Sequence, residues 1–131
     1  GDGSLKNDLL KIVGKKNHLN ISVVNKTLNF EKYLFNTNYI IQPSFSEGFG
    51  LSICEVMKLG IIPVINRHLP LFNNSYSIAI NGHSEEKIYK SLKLITQFNA
   101  IKINKKRNNS IKFAKKNIEK INKLNNFEYY Y

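Results

Sequence analysis

Cysteine is nearly absent from this chain. Cys54 is the single one in 131 residues, which rules out an intrachain disulfide framework and fits a reducing compartment. Long apolar runs are missing as well. None approaches the roughly 20 residues that a membrane span requires. The opening GDGSLKND lacks a basic segment followed by an apolar one, so no signal peptide is read there. His18, His68 and His83 are scattered, without metal-ligand spacing. No Ser-His-Asp set and no phosphate-loop Gly-Lys-Ser/Thr pattern occurs, and there is no internal repeat.

Negative charge is scarce. Twenty Lys and Arg face nine Asp and Glu, a net charge of +11. Residues 1–101 hold eleven basic and seven acidic side chains, and residues 102–131 hold nine and two. A basic tail suits an anionic partner such as a membrane surface or nucleic acid. The nineteen asparagines beside many Lys and Ile point instead to an AT-rich coding bias that raises lysine without selecting a partner. The N-x-S/T patterns at Asn20, Asn25, Asn73 and Asn108 are read as products of the same bias. The tail has few aromatics among its lysines and no nucleic-acid motif, which argues against nucleic acid.

What is present is an alternation of helical and strand patterns. The spacing predicts a helix over SLKNDLLKIVGKK, where Leu5, Leu9 and Ile12 share a face and Gly14 is a stop. LNISVV reads as a strand, LNFEKYLFNT as a short helix, and YIIQPS as a strand ending at Pro43. LSICEVMKL reads as an apolar helix that Gly60 closes, and IIPVI as the next strand. Pro63 suggests an edge position, a strand end or an irregularity there. SYSIAI is a further strand. Ser84 caps a helix whose first turn holds Glu85 and Glu86, and residues 104–125 form a long basic helix. Short connections and nearly continuous apolar strands predict a Rossmann-like three-layer α/β domain around a parallel sheet. The expected organisation is one domain over residues 1–101, with residues 102–131 as a basic helix and tail packing on it. The turn GDG at the start predicts a further strand upstream.

The stretch PSFSEGFGLSICEVMKLGIIPVI, residues 43–65, carries the chemistry. Ligands of open α/β sheets bind outside the carboxyl ends of the strands, and the turn after YIIQPS lies there. Gly48 and Gly50 allow close backbone approach, and the helix that follows presents unpaired N–H groups suited to a diphosphate. Glu47 sits beside that position, and a carboxylate there suits sugar hydroxyls. Glu55 lies eight residues on, about 12 Å along a helix. It shares a polar stripe with Ser52 and Lys58, from which a carboxylate can take both hydroxyls of a ribose.

Those residues together resemble the donor-binding domain of the glycosyltransferase group 1 family, which has the GT-B fold. The likeness rests on the two glutamates separated by seven residues, on PS before them, EGFGL in the turn, EVMKLG in the helix and PVI after it. It covers roughly residues 1–97, including the GDG turn. The resemblance implies the C-terminal half of a GT-B enzyme, a retaining transferase of the hexosyltransferase type that needs no metal and no cofactor beyond its nucleotide diphosphate sugar. It implies Glu47 on the donor sugar near the reacting carbon and Glu55 on the ribose. Ser46 and the backbone of Gly48, Phe49, Gly50 and Leu51 would hold the diphosphate or sugar. The family's basic pair before GDG and its acceptor-binding half are not in this sequence, and Lys26 or Arg67 are candidate substitutes for the clamp. The segment after PVI also departs from the pattern, without the common glutamate near Pro70. The expectation is therefore a donor-binding half that does not turn over alone. It would act in cell-envelope polysaccharide synthesis in the cytoplasm or at the inner membrane face, with an acceptor domain in cis or trans. The alternatives are a non-catalytic nucleotide-sugar or scaffold module, or a membrane or nucleic-acid binder acting through the basic tail.

Overall fold

In the computed structural model, residues 3–15, 20–46 and 50–127 are described, with side chains through Glu119. Two compact units follow one another, residues 1–35 and 36–131.

The first unit holds helix α1 (Lys6–Gly14) and a 3₁₀ turn at Glu31–Tyr33. None of its described residues is buried. The apolar stripe of α1 exists, but Leu9 and Ile12 stand 48% and 57% exposed. Residues 20–24 do not form the expected strand. A β-branched run becomes a strand only where a ladder partner and a packed face stabilise it. LNFEKYLFNT likewise shrinks to one short turn, with Leu28 and Phe35 99% and 83% exposed. A ten-residue segment without tertiary packing is too short to hold a helix by itself.

The second unit is built on three parallel strands, β1 (Tyr39–Gln42), β2 (Ile62–Asn66) and β3 (Ile78–Ile80), in the order β1-β2-β3. Tyr39 pairs with Ile62, and Val64 pairs with Ile78. All five residues of β2 are buried, as expected for a central parallel strand. Pro63 therefore lies in the central strand, not at an edge. The ladder explains why it is tolerated. The Ile62 N–H donates to Asn38 O on the β1 side, so alternation turns position 63 toward β3, and pairing with β3 begins only at Val64.

Strand alternation sorts the core into two layers. On one face, Ile62 and Val64 meet Ile78 and Ile80, covered by Ile88, Leu92 and Ile95 of helix α3 (Glu85–Ile95). On the other, Ile65 meets Ile53, Cys54 and Met57 of helix α2 (Leu51–Met57) and Ala114 of helix α4 (Ala100–Phe127). With helices on both faces of a parallel sheet, the fold is α/β and Rossmann-like. Ser84 caps α3, its Oγ accepting from the Lys87 N–H at 3.4 Å. The exposed Glu86–Lys90 pair at 2.6 Å contributes little in water.

The first half of α4 is fastened by polar contacts. Lys106 Nζ donates to the carbonyls of Asn74 and Ser77 at 2.5 and 2.7 Å. Ser110 Oγ donates to Tyr76 O at 3.1 Å, and Arg107 Nη2 to Asn38 Oδ1 at 2.6 Å. Burial, with Lys102 nearby, pushes the Lys106 amine below its ordinary pKa. Among the described residues, no helix is long and apolar enough to cross a membrane.

Candidate functional site

Because the three strands are parallel, their carboxyl ends open onto one edge of the sheet. Three short segments meet there: Pro43 to Ser46 after β1, Asn66 to His68 at the end of β2, and Asn81 to His83 after β3. Asn66 is the hub. It is fully buried, and its Nδ2 donates to the Ser44 carbonyl at 2.7 Å while lying 3.3 Å from His83 Nδ1. Its Oδ1 is buried without a hydrogen-bond partner, which is rare for a polar atom inside a fold. The His83 ring stacks on Phe45 with centroids 3.5 Å apart and planes 17° apart. His68 meets His83 edge-on at 5.6 Å. Phe45 is otherwise open, with 73% of its surface exposed. Arg67 and His68 border a cavity of about 220 Å³ with Ile80, Asn81 and Gly82.

The turn that leads from β1 into α2 ends at Gly50, which has φ +69° and ψ +47°. A side chain is strained in this left-handed conformation, and a β-carbon would also meet Leu71 Cδ2 at 3.1 Å. The Gly50 carbonyl accepts from the N–H groups of Ile53 and Cys54 at 3.0 and 3.1 Å, which starts α2. The helix is two-faced. Ile53, Cys54, Val56 and Met57 are buried, whereas Leu51, Ser52, Glu55 and Lys58 face outward. The polar stripe of Ser52, Glu55 and Lys58 is therefore exposed as read from spacing. No described side chain pairs with the Glu55 carboxylate. Burial, together with the adjacent Glu55 charge, pushes the Cys54 thiol above its ordinary pKa. Cys54 is a core residue, not a nucleophile.

Of the residues singled out in the sequence, Ser46 lies exposed just beyond β1, Gly50 is half-buried at the head of α2, and Leu51 and Glu55 are on its open face. Glu47, Gly48 and Phe49 lie outside the described residues. Among the described residues, no group of three or more His, Cys, Asp or Glu could hold a metal ion. The cluster of Asn66, His83 and Phe45 was not identified from the sequence. Its one available signal is positional, since Asn66-Arg67-His68 and Asn81-Gly82-His83 each follow a strand run directly. That each ends in histidine says nothing about which ring meets Asn66 until the strands are laid side by side.

Two curated proteins from Escherichia coli are similar to the chain, both described as "O-antigen biosynthesis glycosyltransferase WclY". One is 37% identical over 73 residues, covering 55% of this chain and 20% of the relative. The other is 36% identical over 73 residues, with the same coverage. The chain thus spans about a fifth of the length of the curated relatives it matches. No protein-family model matches it. These similarities relate the chain to glycosyltransferases.

Proposed function

We propose that this chain is the donor-binding part of a retaining glycosyltransferase of the group 1 family with the GT-B fold, of the hexosyltransferase type. The donor is a nucleotide diphosphate sugar. The acceptor is a glycan, lipid or other molecule of cell-envelope polysaccharide synthesis, in keeping with relatives described as acting in O-antigen biosynthesis, and it is held by a separate acceptor half in cis or in trans. The reading is supported by the relation to glycosyltransferases. It is carried by one observation: α2, the helix that follows the carboxyl end of parallel strand β1, where such folds take ligands, holds the Glu55 carboxylate open on the face away from the core.

In this reading Glu47 accepts hydrogen bonds from the donor sugar, and Glu55 takes the two ribose hydroxyls. Ser46 and the backbone N–H groups of Gly48, Phe49, Gly50 and Leu51 meet the diphosphate or sugar. Glycosyl transfer leaves negative charge on the departing diphosphate. In this reading, backbone N–H dipoles facing that charge lower the barrier.

Calorimetric titration of the full chain with UDP, GDP and ADP tests the proposal, beside Glu55→Ala. Loss of a bidentate carboxylate should weaken binding of the preferred nucleotide about tenfold or more, equivalent to about 1.4 kcal/mol. Equal affinity in the two proteins would overturn the role of Glu55, and binding of no nucleotide would overturn the donor-site reading of this chain.

A further inference from the structure

The hub at the strand ends has a single hydrogen-bond direction. Ser44 O can only accept, so the Asn66 atom 2.7 Å from it must be Nδ2. A flipped amide would set two acceptors against each other. The Asn66 amide therefore has one orientation, with one Nδ2 hydrogen on Ser44 O and the other toward His83 Nδ1 at 3.3 Å. A proton on Nδ1 would set two donors against each other. Nδ1 is thus the acceptor, and the ring proton sits on Nε2.

Two contacts fix the ring. The stack on Phe45 at 3.5 Å and 17° sets its plane. The bond to Asn66 sets its rotation within that plane. No described group takes the Nε2–H. The result is a ring donor with its position already set, at the edge of the sheet where ligands of this fold class bind. The strand-end segments around it read Asn66-Arg67-His68 and Asn81-Gly82-His83, with Arg67 as their one charged side chain, while Glu85 lines the cavity beside His83. The Nε2–H and the Arg67 guanidinium are donors, and they favour a ligand group that is rich in acceptors.

We propose that Asn66 and His83 form a built hydrogen-bond donor for the diphosphate of the nucleotide donor. Asn66 is the positioning residue, and His83 Nε2–H meets a phosphoryl oxygen. The assignment rests on the nucleotide-diphosphate reading above and adds to it a specific contact from the ends of β2 and β3. Preorganisation is its physical value, since a donor that need not reorient strengthens as charge builds on the leaving diphosphate.

The test combines a spectroscopic and a binding measurement on the full chain. Long-range ¹⁵N–¹H correlation spectra should show His83 as the Nε2–H tautomer, and Asn66→Ala should turn it into a tautomer mixture. In titrations with UDP, GDP and ADP, His83→Ala should weaken the preferred nucleotide about tenfold. His83→Gln, whose amide nitrogen reaches the position of Nε2, should bind within about threefold of the wild type. His83→Asn, which reaches only the position of Nδ1, should behave like His83→Ala. Asn66→Ala should lose about three- to tenfold while the domain stays folded. A ring protonated on Nδ1 would overturn the assignment, as would Gln rescuing no better than Asn. Nucleotide binding that needs Glu55 but ignores His83→Ala would overturn it alone and leave the donor-site reading standing. Wild-type protein that binds no nucleotide, whatever the tautomer, would overturn both.

Discussion

Gly60 links the helix that carries Glu55 to the central strand, and its replacement by alanine can be worked through in numbers. The residue has φ +80°. A β-carbon in that left-handed region costs about 1–2 kcal/mol. The same β-carbon would lie 2.8 Å from Arg107 Cγ, 3.1 Å from Arg107 Cδ and 3.4 Å from Ile111 Cδ1. The first distance is too short to persist, so the middle of the arginine side chain must move. Arg107 is anchored at its far end by the 2.6 Å bond from Nη2 to Asn38 Oδ1. Losing that bond costs about 0.5–1.5 kcal/mol. Together the terms predict that Gly60→Ala destabilises the domain by about 1.5–3.5 kcal/mol, a large part of the roughly 5–15 kcal/mol typical of a folded domain. The midpoint of thermal unfolding should fall by on the order of 10–20 °C.

Urea unfolding followed by circular dichroism gives the free energy, and a double-mutant cycle separates the two terms. In an Arg107→Ala background there is no side chain to displace, so Gly60→Ala should cost only the backbone term of about 1–2 kcal/mol. The coupling between the two positions should be about 1 kcal/mol. Strict additivity, or a loss below about 0.5 kcal/mol for Gly60→Ala alone, would refute the argument that Gly60 is required both by its backbone angle and by the approach of α4.

Two further predictions concern buried polar groups. The Tyr76 hydroxyl donates to Leu71 O at 2.9 Å, and burial, with Cys54 nearby, pushes its pKa up to about 12. The folded state therefore keeps its proton after the unfolded chain has lost it near pH 10. The contribution of Tyr76 is fully present below pH 10 and is lost as pH rises toward about 12, a change on the order of 2–3 kcal/mol. Tyr76→Phe should flatten that alkaline decline in stability, and an unchanged pH profile would contradict the assignment. Lys106→Met should leave the buried Ser77 carbonyl without its 2.7 Å partner. Stability should fall by about 1–3 kcal/mol, measured by urea unfolding at neutral pH, and a stabilised variant would show that the amine is only a burden on the core.

Much of this molecule is decided locally. The apolar run IIPVI, the two-faced pattern of LSICEVM, the Ser84 cap and the stripe of α4 depend on the periodicity of side chains along the backbone. Local chemistry also identifies Glu55 as outward-facing, because its neighbours at 53, 54, 56 and 57 are apolar. Other features belong to partners distant in the chain. Residues 20–24 have the composition of a strand and residues 28–37 the spacing of a helix, but none of them is buried, and neither run forms the expected element. Pro63 occupies the central strand because the neighbouring strand starts one residue later, a matter of register that composition does not encode. The cluster at the sheet edge is the clearest case. Ser44, Asn66 and His83 are spaced 22 and 17 residues apart, and nothing in their own segments marks them as a set. Hydrophobic periodicity is short-ranged and can be read along a chain. The direction of a hydrogen bond between loops exists only once the parallel sheet has brought three strand ends to the same edge.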